Sequence, residues 1–266
     1  MHGGELGEQA MQELEKIHQE LDDDFEFIAS LNLGSEFVSD EELARLERIG
    51  AMPWTRTLSK RLGISWLEKQ RYQGQERLPA QETLLSDRPE HLIPWDFPQS
   101  NDPRFTMKPT EFKANQGERY NLATRRGTLT EEERFIINDH IIQTIQILES
   151  LPFPAHMQNV AKIAGGHHEK MDGTGYPMGL KGDEMPLAAR VMAIADVFEA
   201  LTSADRPYKK AKSLSESLQI MSYMVKDNHL DKSLFELFLT SGVYLRFAKE
   251  YMLDEQLDEV DITQLI

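Results

Sequence analysis

The sequence predicts an all-α fold: a helical bundle with an additional helical and irregular region on its N-terminal side. Apolar residues recur at spacings of three and four along most of the chain. Ser, Thr and Asp stand ahead of those runs at the positions where helix caps belong. No stretch shows the alternation of a half-buried strand.

The first helix is marked by Leu6, Ala10, Leu14, Ile17, Leu21, Phe25 and Ile28, with Glu, Gln and the run Asp22-Asp23-Asp24 between them. This pattern fits a solvated helix with one buried stripe better than a coiled coil joining two copies of the chain, for which the stripe is short. A capping box, Ser39-x-x-Glu42, opens the second helix, and Gly50 stops it. Ser65-x-x-Glu68 opens a third. Prolines 79, 89, 94, 98, 103 and 109 then break every apolar period, so this stretch reads as a long connection and a domain boundary. We therefore expect residues 1–118 to form a helical and Pro-rich region, an insertion or extension, and residues 119–266 to form the bundle. Thr130-x-x-Glu133 caps a helix bearing Phe135, Ile137, Ile141, Ile142, Ile145 and Leu148, which Pro152 and Pro154 end. A shorter helix is expected from Val160 to His168. Pro186 suits the first turn of the next helix, which runs through Ala193 and Leu201. Ser213 and Asp231 cap two more, and an acidic tail without bases follows Lys249.

Composition narrows the function. The 266 residues carry 29 Lys and Arg against 45 Asp and Glu, a net charge of -16, and no cysteine. Disulfides, zinc-thiolate sites and cysteine nucleophiles are excluded. So acidic a chain does not suit a nucleic-acid polymer. No membrane segment or secretory signal is apparent in the sequence, and a cytoplasmic location is expected.

The residues with most chemical potential lie in His167-His168-Glu169-Lys170-Met171-Asp172-Gly173-Thr174-Gly175-Tyr176-Pro177. Adjacent histidines at a helix end point about 100° apart and can serve two metals, or simply decorate a helix terminus. Asp196 sits in the apolar run Val191-Met192-Ala193-Ile194-Ala195-Asp196-Val197-Phe198. It is either on a narrow polar edge or paired with a cation, because a lone buried carboxylate is costly. His140 reads as a core histidine or a ligand. Together His140, His167, His168 and Asp196 make a His/carboxylate set suited to Fe, Mn or Zn rather than Ca. Arg206-Pro207-Tyr208-Lys209-Lys210-Ala211-Lys212 runs against the acidic trend, as a solvated turn or a phosphate clamp.

These motifs carry a resemblance. The run from His167 to Lys209, with Ala193-Ile194-Ala195-Asp196-Val197-Phe198-Glu199-Ala200-Leu201 and the Arg206-Pro207-Tyr208-Lys209 turn, resembles the HD-GYP family of metal-dependent phosphohydrolases. The likeness extends back through Gly127-Thr128-Leu129-Thr130-Glu131-Glu132-Glu133 and His140. It implies a helical bundle of the HD-domain type, acting in bacterial signalling on cyclic dinucleotides, cyclic di-GMP above all. It implies two or three divalent transition metal ions, iron or manganese, with His140, His167, His168 and Asp196 as ligands. It assigns Arg206 and Lys209 to the substrate phosphate. Gly175-Tyr176-Pro177 becomes the family's namesake loop, linked to contact with diguanylate cyclase domains. A dimer is a further expectation.

One departure matters. The family's His-Asp-x-Gly-Lys motif lies upstream of the His140 position, and no His-Asp dipeptide occurs in this sequence. Smaller departures are Glu199, where the family more often has Asp, and the extra residue Ala204. The expectation is the C-terminal part of a longer phosphodiesterase, inactive as this chain alone. The alternatives are a noncatalytic HD-GYP-like signalling or interaction module, and a phosphohydrolase for another phosphoester.

Overall fold

A computed structural model describes residues 2–203 and 211–266. The chain divides into two compact units, Met1–Pro98 with Thr110–Arg134, and Gln99–Pro109 with Phe135–Ile266.

The first unit holds α1 (His2–Leu33), β1 (Ser35–Phe37), α2 (Asp40–Gly50), β2 (Pro53–Arg56), α3 (Trp66–Lys69), β3 (Ala80–Thr83), β4 (Leu92–Ile93), β5 (Ala114–Asn115), α4 (Glu118–Leu122) and β6 (Arg126–Gly127). Both expected capping boxes form: Ser39 accepts from Glu42 N and Ser65 from Glu68 N, each at 3.2 Å. The buried core is small, made by Leu31, Val38 and Leu46 with Phe27, Ile28, Leu43, Leu85 and Leu122 around it. The expectation of a buried stripe along α1 fails over most of its length. Leu14, Ile17, Leu21 and Phe25 are all exposed, and only the C-terminal end of the helix is packed. Near that end the buried Asp24 is neutralised by Arg45 and Arg48, at 3.0 and 2.9 Å.

Three two-stranded antiparallel sheets, β1–β6, β2–β3 and β4–β5, also depart from the sequence reading. Their strands are two to four residues long, too short for an alternation to register. The β2–β3 pair is fixed instead by a buried ion cluster, in which Arg56 forks onto Glu82 at 2.9 Å and reaches Glu76 at 2.7 Å.

The helix α5 (Glu131–Ser150) is capped by Thr130, which accepts from Glu133 N at 3.3 Å. Its residues from Phe135 onward belong to the second unit, with α6 (Val160–Ala164), α7 (Leu187–Thr202), α8 (Leu214–Lys226), α9 (Lys232–Thr240) and α10 (Val243–Tyr251). The main core lies among α7, α8, α9 and α10. There Phe198, Leu214, Leu218, Met221, Phe235, Leu239 and Ala248 are buried, and Phe198 meets Phe238 and Phe247 edge-on. Asp231 caps α9 through Leu234 N at 3.2 Å and pairs with Arg190 of α7 at 2.6 Å. The acidic tail is docked: Asp258 accepts from Ser213 and Ser215 beside the start of α8, a stabilising place for an anion. Buried Gln256 donates to Thr202 O and Lys212 O, both at 2.9 Å, tying together the two flanks of residues 204–210.

Among the described residues no helix is long and apolar enough to cross a membrane. Phe235, 1% exposed at the centre of the main core, sets the packing scale. We expect Phe235→Ala to destabilise the second unit by about 3–5 kcal/mol, read as a lowered urea midpoint of its helical circular dichroism.

Candidate functional site

Three imidazoles meet on the second unit. His140 projects from α5, while His167 and His168 lie in the turn that follows α6. The helix expected to run to His168 ends at Ala164, because Gly165 and Gly166 follow it. A side chain at Gly165 would meet Ile145 at 2.6 Å, so glycine is required for this turn to lie against α5. The last turn is closed by His167 itself, whose Nδ1 lies 2.6 Å from Ala164 O. His140 Nδ1 lies 2.5 Å from Ile137 O in the same way.

Those two carbonyls can only accept, so each Nδ1 carries a proton and Nε2 is the nitrogen that presents a lone pair. This is the tautomer a metal ligand needs. His168 Nε2 stands 3.2 Å from His140 Nε2, a spacing at which a proton or a cation must lie between two nitrogen lone pairs. Ligand atoms of His140, His167 and His168 all lie within 4.8 Å of one another. The donor set is rich in imidazole nitrogen, which suits a transition metal.

Asp196 of α7 approaches from the other side of His168, its Oδ2 4.0 Å from Nδ1. The apolar sequence around it suggested that it could be buried. Its side chain is 47% exposed, on the polar edge of the helix, the other of the two readings open in the sequence. Arg206 and Lys209 lie outside the described residues.

The namesake loop faces inward. The Tyr176 ring stacks on His168 with centroids 4.9 Å apart and planes 18° from parallel, and Tyr176 N donates to His168 O at 3.2 Å. Pro177 is fully buried. The organising residue is Glu169, which the sequence reading quoted without a role. It is 1% exposed, and its carboxylate accepts from Met178 N at 2.7 Å, Gly179 N at 3.1 Å and Leu180 N at 2.9 Å. Gly175 crosses so close to Glu169 that a Cβ there would lie 2.4 Å from Glu169 Cα. Gly173 adopts a φ of 84°, which a side chain disfavours. Asp172 braces the tip by accepting from Thr174 N and Oγ1, both at 2.8 Å. An acid placed directly after two histidines and just ahead of a Gly-rich stretch was the signal that could have found Glu169.

Electrostatics match the ligand reading. Burial, then the neighbouring His167, push the His168 imidazole down from 6.5 to about 4, against the opposing pull of Asp196. It is therefore neutral and able to coordinate near neutral pH. Burial pushes the Glu169 carboxyl up, while its three N–H donors pull the other way.

Convergent imidazoles from α5 and from the turn after α6, beside a glycine-rich loop, make a candidate histidine-based metal site. A family model described as HD domain matches residues 79–234, more than half of the chain, and the chain belongs to that family. Its relatives bear out the resemblance to HD-GYP proteins. It is 47% identical over 96 residues to 3'3'-cGAMP-specific phosphodiesterase 3 of Vibrio cholerae, covering 36% of this chain and 20% of that one. It is 45% identical over 92 residues to the cyclic di-GMP phosphodiesterase response regulator RpfG of Xanthomonas campestris, covering 35% and 24%. With a cyclic di-GMP phosphodiesterase of Thermotoga maritima it shares 43% over 93 residues, covering 35% and 25%. The matches thus span a fifth to a quarter of the length of these relatives.

Two outcomes follow from this geometry. Glu169→Gln sets an amide NH2 against a backbone N–H, so stability should fall by about 1–3 kcal/mol in chemical unfolding. The lowered His168 value means that the unfolded chain binds more protons than the folded one between about 4 and 6.5. The His168 contribution to stability of the metal-free protein should be complete above that window and be lost as pH falls through it. Side-chain NMR of His168 should give a midpoint near the lower end of the window.

Proposed function

We propose that this chain carries the metal centre of a phosphodiesterase that hydrolyses cyclic dinucleotides, cyclic di-GMP or a 3'3'-linked relative. The observation that supports it best is the trio of imidazoles, with ligand atoms within 4.8 Å and the Nδ1 protons of two of them assigned by main-chain carbonyls. The activities for which these relatives are named, all on cyclic dinucleotides, point to the substrate class. When bound, divalent metal supplies Lewis acidity for the phosphate and an acidified water.

The chain's own residues take the remaining tasks. His140 and His167 present Nε2 lone pairs from fixed rings. His168 completes the trio under the Tyr176 ring, with Asp196 beside its Nδ1. Arg206 and Lys209 are assigned to the substrate phosphate from the sequence motif, and the buried amide of Gln256 fixes the stretches on either side of them. Two or three ions, iron or manganese, remain the proposed complement, within a C-terminal HD-GYP region over residues 119–266. The inward-facing Tyr176 and Pro177 favour a supporting role for the namesake loop over direct contact with a diguanylate cyclase domain.

Metal analysis combined with hydrolysis of cyclic di-GMP and 3'3'-cGAMP tests the reading. The chain should retain iron or manganese at low stoichiometry, and His167→Ala should lower it further. Turnover by this chain alone should be slow, since it lacks a His-Asp-x-Gly-Lys motif. Unchanged metal content in His167→Ala would remove the basis of the proposal. Bound metal and bound dinucleotide with no hydrolysis in any longer form of the protein would favour the signalling module.

A further inference from the structure

Residues 99–109 leave the first unit and join the second, and their bonds lead to the metal centre. The segment opens with a turn that the sequence encodes. Asp102-Pro103-Arg104-Phe105 has Asp first and Pro second, and Phe105 N donates to Asp102 O at 3.2 Å. Asp102 also accepts from Arg104 N at 2.9 Å and from the Arg104 guanidinium at 2.7 Å. This fixes the direction of Arg104, whose Nη1 and Nη2 then fork onto Glu149 of α5 at 2.7 and 2.9 Å. One turn earlier on the same helix, Gln146 donates to Ser100 at 3.1 Å. Two residues beyond Arg104, Thr106 makes two bonds to one atom. Its N and its Oγ1 donate to Pro177 O at 2.8 and 3.1 Å.

One end of this segment is thus fastened to the helix that carries His140, and the other to the residue following Tyr176, the ring that covers His168. These are the two histidines whose Nε2 atoms face each other at 3.2 Å. Bidentate Arg–carboxylate pairing resists sliding in a way that a single bond does not. We propose that residues 100–106 form a clasp that holds α5 against the Tyr176–Pro177 turn, with Arg104 and Thr106 as positioning residues for the His140–His168 pair. The clasp acts through these rings and touches no metal or substrate. Its effect on metal rests on the metal-centre reading above; its effect on ring geometry does not.

The test uses Arg104→Gln/Thr106→Val in the full chain, with Thr106→Ser as the conservative control and His167→Ala as the metal-ligand control. Two readouts separate the two claims. In metal-free protein, NMR reports the His168 ring protons, which the stacked Tyr176 ring shifts. The double variant should move them toward exposed-histidine positions, while Thr106→Ser leaves them unchanged. In Co2+ titrations, the double variant should bind roughly 10-fold or more weakly, the range for residues that orient ligands, with an altered visible spectrum. Circular dichroism should show the helices retained in both. Unchanged His168 shifts in the folded double variant would overturn the clasp, whatever the metal data. Shifted His168 signals with no Co2+ binding by the unmutated chain, or none lost in His167→Ala, would uphold the clasp and overturn the metal reading.

Discussion

A carboxylate with no cationic partner among the described residues sits in the interior of the second unit, and the site is arranged around it. Burying Glu169 would cost several kcal/mol if its oxygens went unpaired. Three consecutive backbone N–H groups, of Met178, Gly179 and Leu180, meet that cost. They can converge on one carboxylate only if the chain doubles back within nine residues. Doubling back so tightly requires the close crossing at Gly175 and the positive φ at Gly173. Because Glu169 directly follows His168, the same reversal lays Tyr176 on the His168 ring. The Gly-rich stretch is thus a rigid support with a charged centre.

Where a signal was local, the sequence revealed it. The caps at Ser39, Ser65, Thr130, Ser213 and Asp231 all form, since capping depends on atoms three residues apart. The adjacent histidines and His140 do converge, so the residue types of the centre were legible before their geometry. Other features depended on partners distant in sequence. The β2–β3 pair is held by an ion cluster and not by pattern, and the Pro-rich stretch supplies a segment of the second unit. α6 stops early at Gly165 and Gly166, which lie close against Ile145 and Ala189, contacts that the local sequence does not reveal. At Asp196 the sequence left two readings open, and the structure selects the polar edge, half-exposed within an apolar run.

The charge balance gives the centre its context. A net charge of -16 repels anionic substrates and draws cations. The depressed value at His168 keeps that imidazole from adding positive charge there near neutral pH. Metal bound there would bring a concentrated positive charge to an acidic molecule. A phosphate diester would then have reason to approach one place on the surface and not the rest.

The course of residues 99–109 also bears on how the gene can be divided. They belong to the second unit, yet residues 110–134 return to the first before the second resumes. A contiguous open reading frame cannot encode the second unit alone. Any frame starting beyond residue 109 omits Arg104 and Thr106, and any frame that keeps them also carries a portion of the first unit. Shuffling these two units between proteins would therefore require three junctions, one on each side of the 99–109 excursion and one after residue 134, where an exchange of contiguous domains needs a single cut.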